Sequence, residues 1–326
     1  MTASAQTGAR PGFRSIRIER SMLVLIGVLV VLVLANGFID GNYLSVDQLR
    51  NTLVVAVPLA LMAGGQTLAM LTGGIDLSVG MTATGAAYVA GVAAAQGTAL
   101  SIVEGLALGL AVGLVNGIAI GAFHVHPLIM TLGMTAILTG VLTVGSQTFL
   151  SGSTAMPPLI QELGAGTFLG PIPWNLLIWL VVGLLLIVGL RRSGLGRMIY
   201  AVGDNRRAAR LAGARVWRVE VAVYTLCATL AAAAGILIGG RIGSVDLELA
   251  QSMLLPSVAA AVIGGTSILG GIGGYSGTIL GALILTVLDT MLNLLSVDYA
   301  YKQVLYGVIV LSLAWAYVRG SRQGAT

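Results

Sequence analysis

Apolar stretches about as long as a bilayer is thick recur from Met22 to Tyr317, separated by short polar turns. A span of about 20 such residues crosses the hydrocarbon core, and a chain built largely of them cannot cover a water-facing surface. The 326 residues are 57% hydrophobic and 9% charged, with mean hydropathy +0.97; soluble domains carry about 25% charge. No segment is long and polar enough for a separate soluble domain, so one membrane domain is expected. Arg10, Arg14, Arg17 and Arg20 precede the first apolar run as in a secretory signal. That run continues to Ile39 without a convincing A-x-A cleavage site, so a retained first span is expected.

Ten spans can be drawn: Met22–Ile39, Leu53–Thr72 with Pro58 as a kink, Ser78–Ala95, Ser101–Phe123, Pro127–Thr148, Trp174–Leu190, Val219–Gly239, Met253–Leu269, Tyr275–Leu295 and Val304–Tyr317. A Gly- and Pro-rich stretch with Met156-Pro157-Pro158 and Pro171-Ile172-Pro173 separates the fifth from the sixth. Lys and Arg collect on the cytoplasmic side. Four Arg precede the first span, eight lie between the sixth and seventh, and two follow the tenth: fourteen of the seventeen basic residues, with Arg50, Arg241 and Lys302 outside. Both termini then face the cytoplasm, as an even number of spans requires. The expected fold is all-α and integral to the membrane: about ten transmembrane helices in a Gly-rich bundle. A cytoplasmic segment 1–20, a permease domain 21–318 and a cytoplasmic tail 319–326 follow from the same map.

Glycine is abundant, at 46 residues. Gly105, Gly109, Gly113, Gly117 and Gly121 recur every fourth residue, and Gly273, Gly277 and Gly281 repeat the spacing. Such rows let helix backbones approach closely, and packing is the reading adopted for them rather than solute contact. Cys227 is the single cysteine, so no intrachain disulfide exists.

The chemistry missing from the chain is informative. A phosphate loop needs G-x-x-x-x-G-K-[ST], and the single lysine, Lys302, follows Tyr301. Any ATP hydrolysis belongs to another chain. Ion relays need ionisable groups within spans; Asp289 alone lies well inside one, with no base at mid-span to pair with it. His124 and His126 fall short of the three or four ligands of a zinc site, so no metal is expected.

The loop 191–218 holds the sharpest local signal. Asp204 or Asn205 can cap a helix, Arg206, Arg207, Ala208, Ala209, Arg210 and Leu211 can form one, and Gly213 suits the residue that ends it. The arginines serve topology in either case. A capped two-turn helix is more than topology needs, so docking to a cytoplasmic partner is the expectation.

Three segments carry a family likeness: Leu71-Thr-Gly-Gly-Ile-Asp-Leu-Ser-Val-Gly80, Tyr200-Ala-Val-Gly-Asp-Asn-Arg-Arg-Ala-Ala-Arg-Leu-Ala-Gly213, and Val262-Ile-Gly-Gly-Thr-Ser-Ile-Leu-Gly-Gly271 with Gly277-Thr-Ile-Leu-Gly-Ala-Leu-Ile284. In these the chain resembles permease subunits of bacterial ABC sugar importers of the ribose, xylose and galactofuranose type. The resemblance implies a multi-pass inner-membrane permease, itself without enzymatic activity or cofactor, that moves a monosaccharide. It further implies a second permease subunit (identical or paralogous), a cytoplasmic ATPase carrying ATP and Mg, and an extracytoplasmic solute-binding protein; no nucleic acid is involved. The Asp204–Gly213 loop would be the element that couples the ATPase to the pathway. Met253-Leu-Leu-Pro-Ser257 replaces the acidic stretch of ribose-type members and is similar to galactofuranose-like relatives. Nucleosides, autoinducer-type sugar derivatives and branched-chain amino acids are alternative solutes, and an ion-coupled transporter, channel or scaffold are other classes.

Gln66, Asp76, Ser78, Asn116, Thr266, Ser267 and Asn293 are the candidate pathway residues, because their amides, hydroxyls and carboxylate suit sugar hydroxyls. Each has a structural alternative: Asp76 or Ser78 as a helix cap, Thr266 and Ser267 as donors to their own helix, and the amides as bonds between helices.

Overall fold

A computed structural model describes residues 20–323, most of them helical. Arg10, Arg14 and Arg17 lie outside the described residues. In chain order the helices are α1 Arg20–Ile39, α2 Val46–Leu71, α3 Val79–Val92, α4 Thr98–Gly121, α5 Pro127–Gln147, α6 Pro158–Ala165, α7 Trp174–Arg192, α8 Gly194–Asp204, α9 Arg206–Leu211, α10 Val216–Ile242, α11 Leu254–Ile263, α12 Tyr275–Leu294 and α13 Tyr299–Gln323. Seven of them among the described residues (α1, α2, α4, α5, α7, α10 and α12) are long and apolar enough to cross a membrane.

Two expected spans are shorter than drawn. α3 has 14 residues, followed by one 3-10 turn at Ala93–Gln96, and α11 has 10. At about 1.5 Å per residue these reach only ~21 and ~15 Å. Both are joined to their neighbours by Gly-rich loops, a largely buried 72–78 and a partly exposed 264–274, which continue the apolar sequence without continuing the helix. Irregular backbone at membrane depth needs protein or water around it; Thr72, Asp76 and Ser78 in the first loop and Thr266 and Ser267 in the second are enclosed by the protein, while Leu269 and Ile272 are exposed. The C-terminal helix also runs past Arg319 and Arg322, to Gln323.

α2 is the central post. Val54 and all residues from Ala56 to Leu71 are buried along it, against α10, α12, α11 and α7. Pro58 is accommodated inside the helix. α10 is the second hub, lying along α2, α3 and α4. Its contact with α4 is set by the glycine row. A Cβ on Gly109, Gly113, Gly117 or Gly121 would stand 2.4–2.6 Å from atoms of Ala232, Thr225, Val221 or Trp217, so the backbones touch. At Gly264 and Gly277 the approach is closer still: a Cβ on Gly277 would lie 1.9 Å from the Gly264 carbonyl oxygen.

The Pro-rich stretch after α5 is more ordered than its composition suggests. Pro157 and Pro158 start α6, whose Ile160 and Gly164 pack on the end of α10 at Gly240 and Arg241. A short antiparallel pair, β1 Thr167–Leu169 and β2 Ile172–Pro173, turns the chain into α7. Met156 N–H donates to the Gly243 carbonyl (2.9 Å), pinning this cap to the end of α10.

Candidate functional site

The arginine-rich loop forms two helices meeting at Asn205. Asn205 Oδ1 accepts from the Arg207 and Ala208 N–H groups, both at 3.0 Å, and so caps α9. Asp204 is the last residue of α8 instead. Gly213 has φ +87°, the left-handed conformation that releases the chain toward α10. Arg207, Ala208, Arg210 and Leu211 are exposed, with Leu211 at 83%, while Ala209 is buried. An apolar side chain so bare beside three arginines gives this short helix an outer face suited to a protein surface.

The inner side of the loop rests on both Gly-rich junctions. A Cβ on Gly203 would fall 1.8 Å from the Leu71 carbonyl oxygen and 2.6 Å from the Gly271 nitrogen. Gly271 N–H in turn donates to that Leu71 carbonyl at 3.0 Å. Tyr200 on α8 donates to the Gly273 carbonyl at 2.8 Å. Burial pushes its hydroxyl above the usual phenol range despite Arg191 nearby, so it remains a donor. α8 and the start of α9 are therefore wedged between the α2–α3 and α11–α12 junctions.

Arg206 is tied inward at its head group although its side chain remains 44% exposed. Its guanidinium lies 2.7 Å from the carboxylate of Glu220 at the start of α10 and donates to the Thr72 carbonyl at 3.0 Å. Glu220 is 1% exposed. The sequence alone did not reveal this partnership; an acid one turn into a helix behind an arginine-rich loop was the available signal. Beside the pair lies a cleft of about 490 Å³ between the end of α4 and the start of α10. Arg206, Arg210, Arg215 and His124 border it, with Glu220 among the lining residues.

Four pathway candidates converge on the α2–α3 junction. The chain turns at Thr72–Gly74 and returns until Asp76 is level with Gln66, about 7 Å back along α2. Gln66 donates to the Asp76 carbonyl (2.6 Å) and accepts from its N–H (3.2 Å). Asp76 Oδ1 accepts from both the N–H and the hydroxyl of Ser78, at 2.8 and 2.6 Å. Asn116 on α4 donates to the Ser78 hydroxyl at 3.1 Å. All four are 0% exposed. Asp76 thus holds the turn that launches α3, and Ser78 is the N-cap residue without itself making a side-chain cap bond. Among the described residues Asp76 Oδ2 and Asn116 Oδ1 have no hydrogen-bond partner.

Thr266 and Ser267 sit in the second junction, equally enclosed. Among the described residues neither hydroxyl bonds back to α11, although the Thr266 N–H donates to the Ala261 carbonyl at 3.0 Å; the Ser267 hydroxyl accepts from Leu269 N–H at 3.1 Å. A Cβ on Gly273 would meet Thr266 Cα at 2.5 Å. A hydroxyl pair, Thr67 and Thr278 at 2.6 Å, ties α2 to α12 just beyond it.

Asn293 lies apart, at the far end of α12, where a further correction arises. Asp289 has a basic partner after all. Lys302 Nζ, on α13, donates to Asp289 Oδ1 (3.1 Å) and Asn293 Oδ1 (2.6 Å), and Tyr306 donates to Asp289 Oδ1 at 3.0 Å. The turn at 295–298 folds α13 back so that residues 13 apart meet.

Comparison with known proteins gives a consistent picture. Residues 48–314 match the family model described as branched-chain amino acid transport system / permease component. The chain is 36% identical over 319 residues to the ribose import permease protein RbsC of Escherichia coli K12, covering 95% of this chain and 97% of that one. It is 36% identical to the Bacillus subtilis protein of the same name, over 87% and 88% of the two chains. It is 32% identical to the autoinducer 2 import system permease protein LsrC of Escherichia coli O157:H7, over 90% and 86%. No solved structure matches the chain.

Proposed function

This chain belongs to the branched-chain amino acid transport system / permease component family, and on that premise we propose that it forms the membrane pathway of an ATP-driven importer for a monosaccharide. Relatives named for ribose import support a sugar, and the Met253–Ser257 sequence leaves pentose and hexose both open. The relative named for autoinducer 2 import favours a sugar-derived signal as the second reading. The chain acts as a multi-pass permease in the bacterial inner membrane, and ATP and Mg are handled by a separate cassette ATPase. A solute-binding protein delivers from outside, and a second permease subunit, identical or paralogous, completes the pathway. In this reading α3 and α11, each with its junction, count with the eight longer helices as ten crossings, and both termini are cytoplasmic.

The observation that carries the proposal is the wedged position of α8 and α9. An exposed, capped helix whose back touches both junctions can transmit a push from the ATPase to both halves of the bundle. The two arrangements of the junctions would be populated according to which one the ATP-bound partner grips better. Gln66, Asp76, Ser78, Asn116, Thr266 and Ser267 meet solute, in this scheme, only when the junctions part; in the closed arrangement they hold the turns. Asn293 sits in the outer ion cluster.

The test uses the coexpressed permease, ATPase and binding protein. Leu211→Asp and Arg210→Glu change only exposed side chains, and each should abolish co-purification of the ATPase and ATP-driven sugar accumulation while the permease remains folded. Arg206→Glu is a poorer probe because it also breaks an internal pair. Full transport by both surface variants, or uphill accumulation by the permease alone, would refute the proposal.

A further inference from the structure

α5 carries polar residues at every fourth position: Thr131, Thr135, Thr139, Thr143 and Gln147. Each step of four advances ~40° around a helix, so the row winds slowly across its surface. The inner rungs belong to the α2–α3 junction. Thr131 is fully buried and lies 3.4 Å from the Ile75 carbonyl, and Thr135 donates to the Leu77 carbonyl at 3.1 Å. These two carbonyls flank Asp76. The outer rungs turn away from the protein: Thr139, Thr143 and Gln147 are exposed, and Ser146 beside them is half-buried.

The other exposed side of the outer half is different. Ile137, Val141 and Val144, 57%, 46% and 60% exposed, lie on the opposite flank of the helix and suit lipid. α5 thus shows two bare faces at the same depth, one apolar and one hydroxylated. Thr139 sits about 18 Å along a helix ~30 Å long, near the middle of the membrane. Thr139 donates back to the Thr135 carbonyl at 2.8 Å and Ser146 to the Thr143 carbonyl at 2.9 Å, bonds that lipid would tolerate. Among the described residues the Thr143 hydroxyl and the Gln147 amide donate to nothing. A polar group desolvated without a partner costs roughly 2–7 kcal/mol, so a lipid-facing position does not account for this side.

We propose that the outer half of α5 lines a water-filled vestibule through its Thr139–Thr143–Gln147 face, and that a neutral, hydroxyl-rich solute descends along it to the Asp76 junction. Hydroxyls and an amide exchange hydrogen bonds with such a solute one rung at a time, without the tight hold of a charge. The inference rests on the importer reading for the identity of the solute, but its geometry is tested without transport.

Cys227 is buried, so the unmodified chain supplies a low background for thiol labelling. Single variants Thr139→Cys, Thr143→Cys, Ile137→Cys and Val141→Cys are made in the full chain. They are exposed, in intact cells and in inner-membrane vesicles, to a membrane-impermeant cationic methanethiosulfonate. Such reagents need a thiolate, which apolar surroundings suppress, so the two hydroxyl-face cysteines should react at least about tenfold faster than the two apolar-face ones. Each cysteine variant should elute as a monodisperse species in mild detergent like the unmodified chain, showing that the four positions accept the change without loss of fold. Equal rates on the two faces, or no reaction above the Cys227 background at 139 and 143, would overturn the vestibule. Fast labelling of that face together with ATP-independent uptake would uphold the vestibule and refute the importer reading alone.

Discussion

Replacing Gly113 by alanine should destabilise the bundle, whereas the same change at Gly133 should not. The two glycines lie on neighbouring helices and differ in what a new methyl group meets. At Gly113 it would stand 2.5 Å from Thr225 Cα and 2.7 Å from the Tyr224 carbonyl oxygen, with the Ala228 methyl at 3.0 Å. Carbon atoms attract at about 3.5–4.0 Å, so α4 and α10 must part by ~1 Å at this crossing. Neither near neighbour can swing aside, because both are backbone. The rows above and below, at Gly109 and Gly117, are equally tight, so parting at one level loosens the others. Overpacking of this kind costs about 1–3 kcal/mol, partly offset by the ~1 kcal/mol by which alanine favours helix over glycine. Because the tight contacts are to backbone at several levels, the cost should fall in the upper part of that range, for a net loss of up to ~2 kcal/mol. At Gly133 nothing lies within 4 Å, and the helix preference remains, giving a neutral or slightly raised stability. Thermal unfolding of the purified chain in mild detergent, followed by size-exclusion of the surviving monodisperse fraction, compares the two directly. If Gly113→Ala melts at or above the unmodified protein, or Gly133→Ala loses as much, the claim of backbone contact between α4 and α10 fails.

Two further outcomes follow from the ion pairs. Glu220→Gln and Arg206→Gln should not be additive: a charge-assisted bond contributes ~1.5–3 kcal/mol when enclosed, and the part-exposed guanidinium lowers this, so a double-mutant cycle on unfolding should return a coupling of ~1 kcal/mol, and zero coupling would refute the contact. Lys302→Met should weaken the docking of α13 on α12, seen as faster proteolysis in the 295–305 turn, while Asp289→Asn, which keeps an acceptor for Tyr306, should do so less; the reverse order would count against Lys302 as the organiser of that cluster.

The long helices were legible because apolar length is read directly from sequence. Tyr275–Leu295 and Pro127–Thr148 were drawn, and α12 and α5 end one residue short of each. The junctions were not legible as breaks. Ile75, Leu77, Ile268 and Leu269 keep hydropathy high through segments whose backbone is irregular, since these loops share the composition of the helices they join. The Asn205 cap and Gly213 terminator were readable because they are local. Arg206–Glu220 and Asp289–Lys302 are tertiary, created when turns bring separate helix ends together. Periodicity carries no record of that, and the same limit made four mutually bonded residues around Asp76 look like independent candidates for solute contact.

The enclosure of α2 bears on how the protein is made. Its most apolar window is 89% buried in the finished bundle, yet the ribosome delivers it long before α10, the helix that covers its Cys227 side at Gly65. Gly64, Gly65, Gln66 and Thr67 must wait during synthesis of some 150 residues, sheltered only by the local Gln66–Asp76 pairing and whatever the insertion machinery supplies. A nascent chain stalled before Val216 would present an unfinished, sticky centre to quality-control proteases, so the second half of the polypeptide acts as the licence for the first to persist.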